Sequence, residues 1–522
     1  MNKHYFDIFF KNKTIFSLNR FVLLIIFFGV SVRGIPLFQF LTNHSNGTPN
    51  GLGGLFYAFS AAIQENNYRL PEMLPYYTSY HGIPFAYPPL SFYMIAIVND
   101  LTSIPIIVLY NYLPIIFSMF TVIAFYFFSK EIFKDSNLVL FSTFIYAIFP
   151  GSYNSFSTGV GIVEALGTLF YIIGLTLLFR LKKTDSKKTI VLTGLFLSLT
   201  VLTSPGAGFA FASLVGILFL FALYTKNKYL DSTKLMLVIF ISLFFSSPWL
   251  YALNDYHGIA IIYNTADQQI SLNLIFIIVK NFFNSFYNFA VFMGLIYCIS
   301  RRNYIIPLCF FSTYWIPRES SYLNPIFLSL LLTIGLFQFL FPLILKSKDI
   351  SKKTRRAIIV VFILVIVGTL MGNTLLTLLL EEDESSKGMG FLTNDEIMAM
   401  EWVELNTDEE SIFVVIDDYN RYEYYATDWF PVIAKRTCIN VGYGSEWLRV
   451  EERQTIEKLN NQLLVLENNE RLFELSNIYS FNHVFISKSQ SNNILVDSLE
   501  NSDNFEILYN NSEAIVLEVK NV

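Results

Sequence analysis

Three arginines and three glutamates carry the chemistry that can be read from this sequence. Within the hydrophobic part of the sequence, Arg33, Arg69 and Arg318 are the basic residues in the loops on one side, while 22 others gather on the opposite side. A guanidinium offers a rigid fork of donors that grips phosphate or carboxylate oxygens in pairs. Glu65, Glu72 and Glu164 are carboxylates on that same side. A carboxylate held near an apolar surface can take a proton as a general base, or pair with a cation.

Each of these residues also has a plainer explanation. Glu65 follows the amphipathic stretch Leu55 to Ile63, and a solvated surface glutamate explains it as well. Glu72, just after Pro71, is similar. Glu164 ends the run Gly159-Val-Gly-Ile-Val-Glu at the start of a span, where a helix dipole alone would favour it. Arg33 lies deep in the first apolar run and could snorkel to the surface. Arg318, in Tyr314-Trp-Ile-Pro-Arg-Glu-Ser-Ser, could pair with the adjacent Glu319 or with Glu164. His81 and Tyr87 flank a Pro-rich turn, where a structural hydrogen bond is the commoner fate. Asp428-Trp-Phe-Pro and the stretch from Gly442 to Trp447 could form an acceptor surface, or pack the C-terminal part against the rest.

The elements that must position these groups are read from hydropathy. Only 15% of the 522 residues are charged, 53% are hydrophobic, and mean hydropathy is +0.47. Soluble domains carry about 25% charged residues, so the chain is expected in a membrane. Spans are predicted near 21–41, 106–128, 138–150, 161–179, 189–203, 207–224, 235–252, 272–299, 304–316, 324–345 and 357–380. That is about 11 transmembrane helices, of which 138–150, 189–203 and 304–316 are short. With this topology 22 Lys and Arg fall in candidate inner segments, and Arg33, Arg69 and Arg318 alone fall in the outer loops of the membrane part. By the positive-inside rule the N-terminus is cytoplasmic. The first run, after Lys3, Lys11, Lys13 and Arg20, is expected to be an uncleaved anchor.

Residues 1–380 form the transmembrane domain, with a first outer loop at 42–105. Within that loop Pro84, Pro88 and Pro89 predict a helix start near Leu90, and the apolar run to Val98 is too short to cross a bilayer. It reads as a helix at the membrane surface. Residues 381–522 form an extracytoplasmic α/β domain. Helices are predicted over Thr393–Asn406 and Arg449–Leu475, and strands over Ser411–Ile416, Thr437–Val441, His483–Ser487, Phe505–Tyr509 and Ala514–Val519; Glu381 to Lys387 is the expected linker. The three cysteines show no disulfide or metal spacing. Basic residues are not gathered on one soluble surface, so no nucleic-acid partner is expected.

One span, a long outer loop, a Pro-Pro-Leu-aromatic helix and then a span ending in the basic turn Lys130-Glu-Ile-Phe-Lys134 resemble the GT-C glycosyltransferases. These are polytopic enzymes that use polyprenyl-phosphate-linked sugars. The likeness is to the dolichyl-phosphate-mannose-type and related prokaryotic branches, and an outward C-terminal α/β domain also resembles that architecture. The resemblance implies an inverting transfer of a sugar from a lipid-phosphate donor to an outer-face glycan, lipid or protein acceptor, with membrane lipids around it. It implies a base among Glu65, Glu72 and Glu164, and a donor site among Arg33, Arg69, His81, Tyr87, Arg318 and Glu319. GT-C enzymes usually carry an acid early in the first outer loop, as base or as ligand of a divalent metal such as Mg or Mn. Here that region reads Asn50-Gly-Leu-Gly-Gly-Leu, without a carboxylate. Either a later acid has taken the role, or the chain is a non-catalytic relative that binds a lipid-linked glycan or scaffolds an envelope assembly. Transport is disfavoured, because no paired halves with matching broken helices are visible.

Overall fold

The structure is a computed structural model that describes residues 22–34, 53–78, 82–156, 161–226, 231–258, 261, 287–314, 317–346, 351–386, 392–417, 425–466, 468–488, 493–500 and 502–520. At Ser155, 317–320, Lys352, 373–386, Tyr425, 493–494 and Glu500 only the backbone is described.

Among the described residues the membrane part is mostly helical. Its elements are α1 (Val22–Gly34), α2 (Gly53–Glu65), α3 (Leu90–Thr102), α4 (Ile106–Ile132), α5 (Ser136–Ile148), α6 (Gly161–Leu181), α7 (Lys187–Val201), α8 (Pro205–Tyr224), α9 (Ser232–His257), α10 (Tyr287–Ser300), α11 (Ile305–Ser312), α12 (Pro317–Ile334), α13 (Phe341–Lys346) and α14 (Lys352–Ser386). Six stretches are long and apolar enough to cross a membrane: α4, α6, α8, α9, Ser321–Lys346 and Lys353–Gly372. The described residues of each predicted span include helix, although 35–41 and 272–286 lie outside the described residues. The three short ones have 13, 15 and 8 residues; at 1.5 Å per residue even the longest reaches only about 22 Å of a roughly 30 Å hydrocarbon layer.

In lipid, helices gain little from hiding apolar surface and depend on close packing. The packing here is of that kind. A Cβ at Gly294 of α10 would lie 2.1 Å from the Leu331 carbonyl oxygen of α12. A Cβ at Gly335, where α12 passes through a π turn (Gly335–Leu340), would lie 1.8 Å from the carbonyl oxygen of Ala290. The two helices therefore touch backbone to backbone. Elsewhere α6 packs along α4 and α7, and α7 along α9. On the basic side Glu131 of α4 takes Arg180 at 2.6 Å and Lys183 at 2.8 Å, tying α4 to the end of α6.

The helices of the first long loop form a platform at one end of this bundle. Leu90 begins α3, as the prolines predict, and its 13 residues span about 20 Å, too short for a crossing. Met73–Leu74 (β1) and Ile83–Pro84 (β2) pair antiparallel and make a small hairpin ahead of it.

The C-terminal part is α/β. Its strands are β3 (Ile412–Ile416), β4 (Thr437–Cys438), β5 (His483–Ser487), β6 (Phe505–Asn510) and β7 (Ala514–Val519), in the order β4-β3-β5-β7-β6. The β3 pairings with β4 and β5 are parallel; those of β7 with β5 and β6 are antiparallel. Its helices are α15 (Asn394–Asn406), α16 (Tyr425–Ile433), α17 (Val450–Leu463), α18 (Asn469–Tyr479) and α19 (Asn493–Glu500). All five predicted strands are present, although β4 stops at Cys438 rather than Val441. The expected linker is not one: α14 runs on to Ser386. Sequence reading also missed α16, which contains Pro431, and α19.

Successive side chains of a strand point to opposite faces, and this alternation sorts the sheet into two cores. Val414, Ile416, Val484, Ile486, Ile515 and Leu517 meet Leu459, Leu463, Leu472 and Leu475 of α17 and α18. Phe413, Val415, Phe485 and Val516 point the other way. They enter a core shared with α15, α16, the loop helices α2 and α3, and the adjoining ends of α4, α6 and α9.

Candidate functional site

Arg33 is buried deeper than its sequence suggested, with 2% of its surface exposed. Its guanidinium donates to Ser118 Oγ at 2.6 Å, to Ser152 Oγ at 2.7 Å and O at 2.9 Å, and to the Ser118 carbonyl at 3.2 Å. The rings of Tyr146 and Tyr153 sit 5.3 and 5.4 Å away. A planar fork with five donors suits such a nest, where α1, α4 and the turn after α5 converge. Arg33 thus holds the first span against the bundle rather than snorkelling outward.

The loop end of the molecule is assembled around a different charge. Asp428 of α16 is fully buried, and its two oxygens accept the backbone N–H groups of Gly54 at 2.7 Å and Leu55 at 3.1 Å. The first N–H groups of a helix have no partner inside it. Here a side chain 374 residues away in sequence satisfies them, capping α2. Glycine at position 54 follows from the approach: a Cβ there would lie 2.4 Å from the Asp428 carbonyl oxygen. Burial pushes the Asp428 carboxyl up to about 8, against the opposing pull of the two N–H donors. Asp417 performs the same task one step further in, accepting the N–H groups of Ala426 and Thr427 at the start of α16.

A second tie is a strand contact. Thr78 N donates to the Cys438 carbonyl and Cys438 N to that of Tyr76, both at 2.9 Å, so Tyr76–Thr78 lie parallel to β4 and extend the sheet by one short strand. Aromatic rings fill the space between. Trp447 lies 5.8 Å from Phe59 and 6.1 Å from Tyr87, and Trp429 lies 5.9 Å from Tyr57. Both C-terminal tryptophans therefore pack the two parts together. Tyr87 belongs to the same cluster, against Phe56 and Phe92.

The platform is also fixed from below. Tyr110 of α4 donates to the Phe56 carbonyl at 2.7 Å and pairs with Ser60 at the same distance. Gln64 donates to Asn99 and Asp100 of α3, and Leu90 N to the Leu202 carbonyl at the α7–α8 turn.

The remaining candidates lie as follows. Glu65 is the last residue of α2, exposed, and acts electrostatically on Lys435, which pairs with Glu404 at 2.8 Å. Arg69 and Glu72 are exposed on the loop, and the Glu72 backbone meets His257 at the end of α9, a residue that sequence reading passed over. Glu164 sits in the first turn of α6, half-buried, beside Ile162 and Val163, which pack into the loop core. His81 and the side chains of Arg318 and Glu319 lie outside the described residues. The backbone of α12 nevertheless places position 318 one turn from Tyr322, whose hydroxyl is 3.4 Å from Ser204; a Cβ on Gly167, one turn beyond Glu164, would touch Ser204 too. The beginnings of α6 and α12 thus meet at the α7–α8 turn. Arg33 and Glu65 share no neighbour among the described contacts. Among the described residues no group of three or more His, Cys, Asp or Glu is placed to hold a metal ion.

The family described as dolichyl-phosphate-mannose-protein mannosyltransferase matches residues 86–251, from the Pro-rich turn to the end of α9. No curated protein matches the sequence. Among solved structures, the archaeal oligosaccharyltransferase AglB from Archaeoglobus fulgidus, in complex with an inhibitory peptide and a dolichol-phosphate, superposes with a TM-score of 0.61 at 14% identity. The match covers 92% of this chain and 70% of that one. ArnT from Cupriavidus metallidurans, bound to undecaprenyl phosphate, gives 0.53 at 11% identity over 95% of this chain and 97% of that one. The mycobacterial arabinofuranosyltransferase AftD gives 0.54 at 10% identity over 96% and 40%. Likeness at such identities is one of fold, and the matched segment begins at the Pro-Pro-Leu helix that first suggested it. The chain is thus similar to that mannosyltransferase family over residues 86–251, and its fold is like that of these membrane glycosyltransferases.

Proposed function

We propose that this protein transfers a sugar from a polyprenyl-phosphate-linked donor to a glycan, lipid or protein acceptor on the outer face of the membrane, with inversion at the anomeric carbon. The observation that carries the reading is the loop platform: α2 and α3 are fixed over the beginning of α6 and the end of α9, where Glu164 and His257 stand. Two of the fold's neighbours were solved with dolichol-phosphate and undecaprenyl phosphate. In this reading the N-terminus is cytoplasmic and residues 381–522 are extracytoplasmic.

The chemistry is a single displacement. An acceptor hydroxyl attacks the anomeric carbon from the face opposite the phosphate, the new C–O bond forms as the bond to the phosphate oxygen breaks, and polyprenyl phosphate leaves. A carboxylate takes the hydroxyl proton, and we favour Glu164 over Glu65 and Glu72 because it is the half-buried one at the mouth of the bundle. A cation must offset the charge on the departing phosphate, and Arg318, at the meeting point of α12 and α6, is the residue we assign to it. Arg69, His81 and Glu319 remain candidate donor contacts.

The test is to supply purified protein with radiolabelled polyprenyl-phosphate sugars and a membrane extract as acceptor. Transfer by wild type, lost by 10²-fold or more in Glu164→Gln and spared in Glu65→Gln and Glu72→Gln, is the expected result. The absence of an acid in Asn50-Gly-Leu-Gly-Gly-Leu favours a second reading, a non-catalytic binder of lipid-linked glycan. Binding of the lipid-linked sugar without any transfer would establish that reading instead.

A further inference from the structure

We infer that the C-terminal domain is a clamp that holds the first loop in its working position, and that Asp428 is the positioning residue through which it acts. The functional half of this inference rests on the transfer reading above; the structural half does not. Three independent contacts support it. Asp428 supplies the only side-chain cap described for α2, whose own sequence begins with two glycines and has no acid in its first turn. Tyr76–Thr78 complete the edge of the C-terminal sheet. Trp447 closes the aromatic cluster around Phe59 and Tyr87. A helix of 13 residues is marginal alone in water, so α2 depends on these contacts for its structure as well as its place.

The clamp matters for transfer because misplacing a bound group by about 1 Å can cost 10²-fold in rate. The platform is tied to the bundle through Tyr110 and Leu90. Loosening its upper side is therefore expected to disturb the reacting geometry without releasing the helices beneath.

The experiment uses the full-length protein in detergent or nanodiscs. Asp428→Ala removes both acceptors, and Asp428→Asn keeps one. Hydrogen exchange of the Gly54–Phe56 amides is expected to quicken by tenfold or more in the alanine variant and by less in the asparagine variant, with α6 and α8 unchanged. Sugar transfer is expected to lose about tenfold in kcat in the alanine variant, with the donor KM within about twofold, a split that general destabilisation would not produce. In a separate protein, Tyr77→Cys is placed to form a disulfide with native Cys438, its strand neighbour, since adjacent strands lie within disulfide reach. Spontaneous formation of that bond would report the docked loop even if the Asp428 variants failed to fold. Unchanged exchange at Gly54–Phe56 in a folded Asp428→Ala protein, or no 77–438 disulfide under oxidation, overturns the clamp. Faster exchange with unaltered kcat overturns its role in positioning. A wild type that transfers no sugar refutes the transfer reading alone, because the exchange and disulfide results still decide the clamp.

Discussion

Arg33 and Asp428 are two ionisable side chains removed from water and held by hydrogen bonds, one in the bundle and one at the loop end. Breaking a buried charged network by removing one member costs about 3–5 kcal/mol. Arg33→Ala would take the guanidinium donor from the Ser118 hydroxyl and the Ser152 carbonyl, and thermal unfolding in detergent should show a loss of that order. Arg33→Lys should recover only part of it, because a single ammonium cannot reach both serines in a fork. Asp428 predicts a pH dependence. Its acid form is favoured in the fold, with the pKa raised from the ordinary carboxylate value to about 8. The folded state therefore holds a proton that the unfolded chain gives up, and stability falls as pH rises from about 4 to 8. Asp417 and Tyr77 face this carboxyl, while Glu396, itself pushed up to about 7 by burial, also faces Asp417. Melting of wild type and Asp428→Asn at pH 5 and pH 8.5 isolates the one group. Wild type should lose more between the two pH values than the variant.

Legibility in the sequence varied at this scale for a physical reason. Glu164 and Arg33 stood out because a charge in an apolar run is costly wherever it points. Asp428 stood out only as part of Asp428-Trp-Phe-Pro, and its capping role did not, because its partners are two backbone amides more than 370 residues away. Trp429 and Trp447 announced an interface by type, and the interface exists, but nothing in their spacing said what would face them.

Elements were the most readable level. Hydropathy located apolar helices because a helix in lipid must be apolar for its whole length, and short β-branched apolar runs located the sheet because strands buried on both faces read that way. Several elements escaped, among them α16, α19 and the hairpin of β1 and β2. The proline inside α16 resembles a breaker, yet it lies in the last turn or so of a nine-residue helix, where few hydrogen bonds are lost. The hairpin of β1 and β2 has two residues per strand, too few for any periodicity. Packing predicts two further outcomes here. Gly335→Leu should drive α12 off α10 and destabilise the bundle by about 1–3 kcal/mol or more, read as a fall in detergent melting temperature. Thr393→Ala should cost about 1 kcal/mol by removing the capping box that Thr393 and Glu396 form at the start of α15, measurable as faster amide exchange in its first turn.

Across the whole molecule, the sequence boundary near residue 380 marks a change in composition more than a change of body. Residues 381–522 own one core beneath α17 and α18, and share the other with the first loop and the bundle ends. Deleting them should strip cover from Phe56, Phe59 and Phe92. The truncated protein should then be cut by protease within 53–102 at least tenfold faster than the full chain, while the bundle beyond α4 stays protected.

The strand borrowed from the loop has a bearing on crowding. An unpaired strand rim invites neighbouring molecules to add to it. On the far rim β6 carries an irregular register between Ile507 and Tyr509 and an exposed Glu506, both of which discourage such growth. The near rim, β4, has no guard of its own except Tyr76–Thr78. Should the loop ever let go, sticky association between copies, and not melting, would be the earliest symptom.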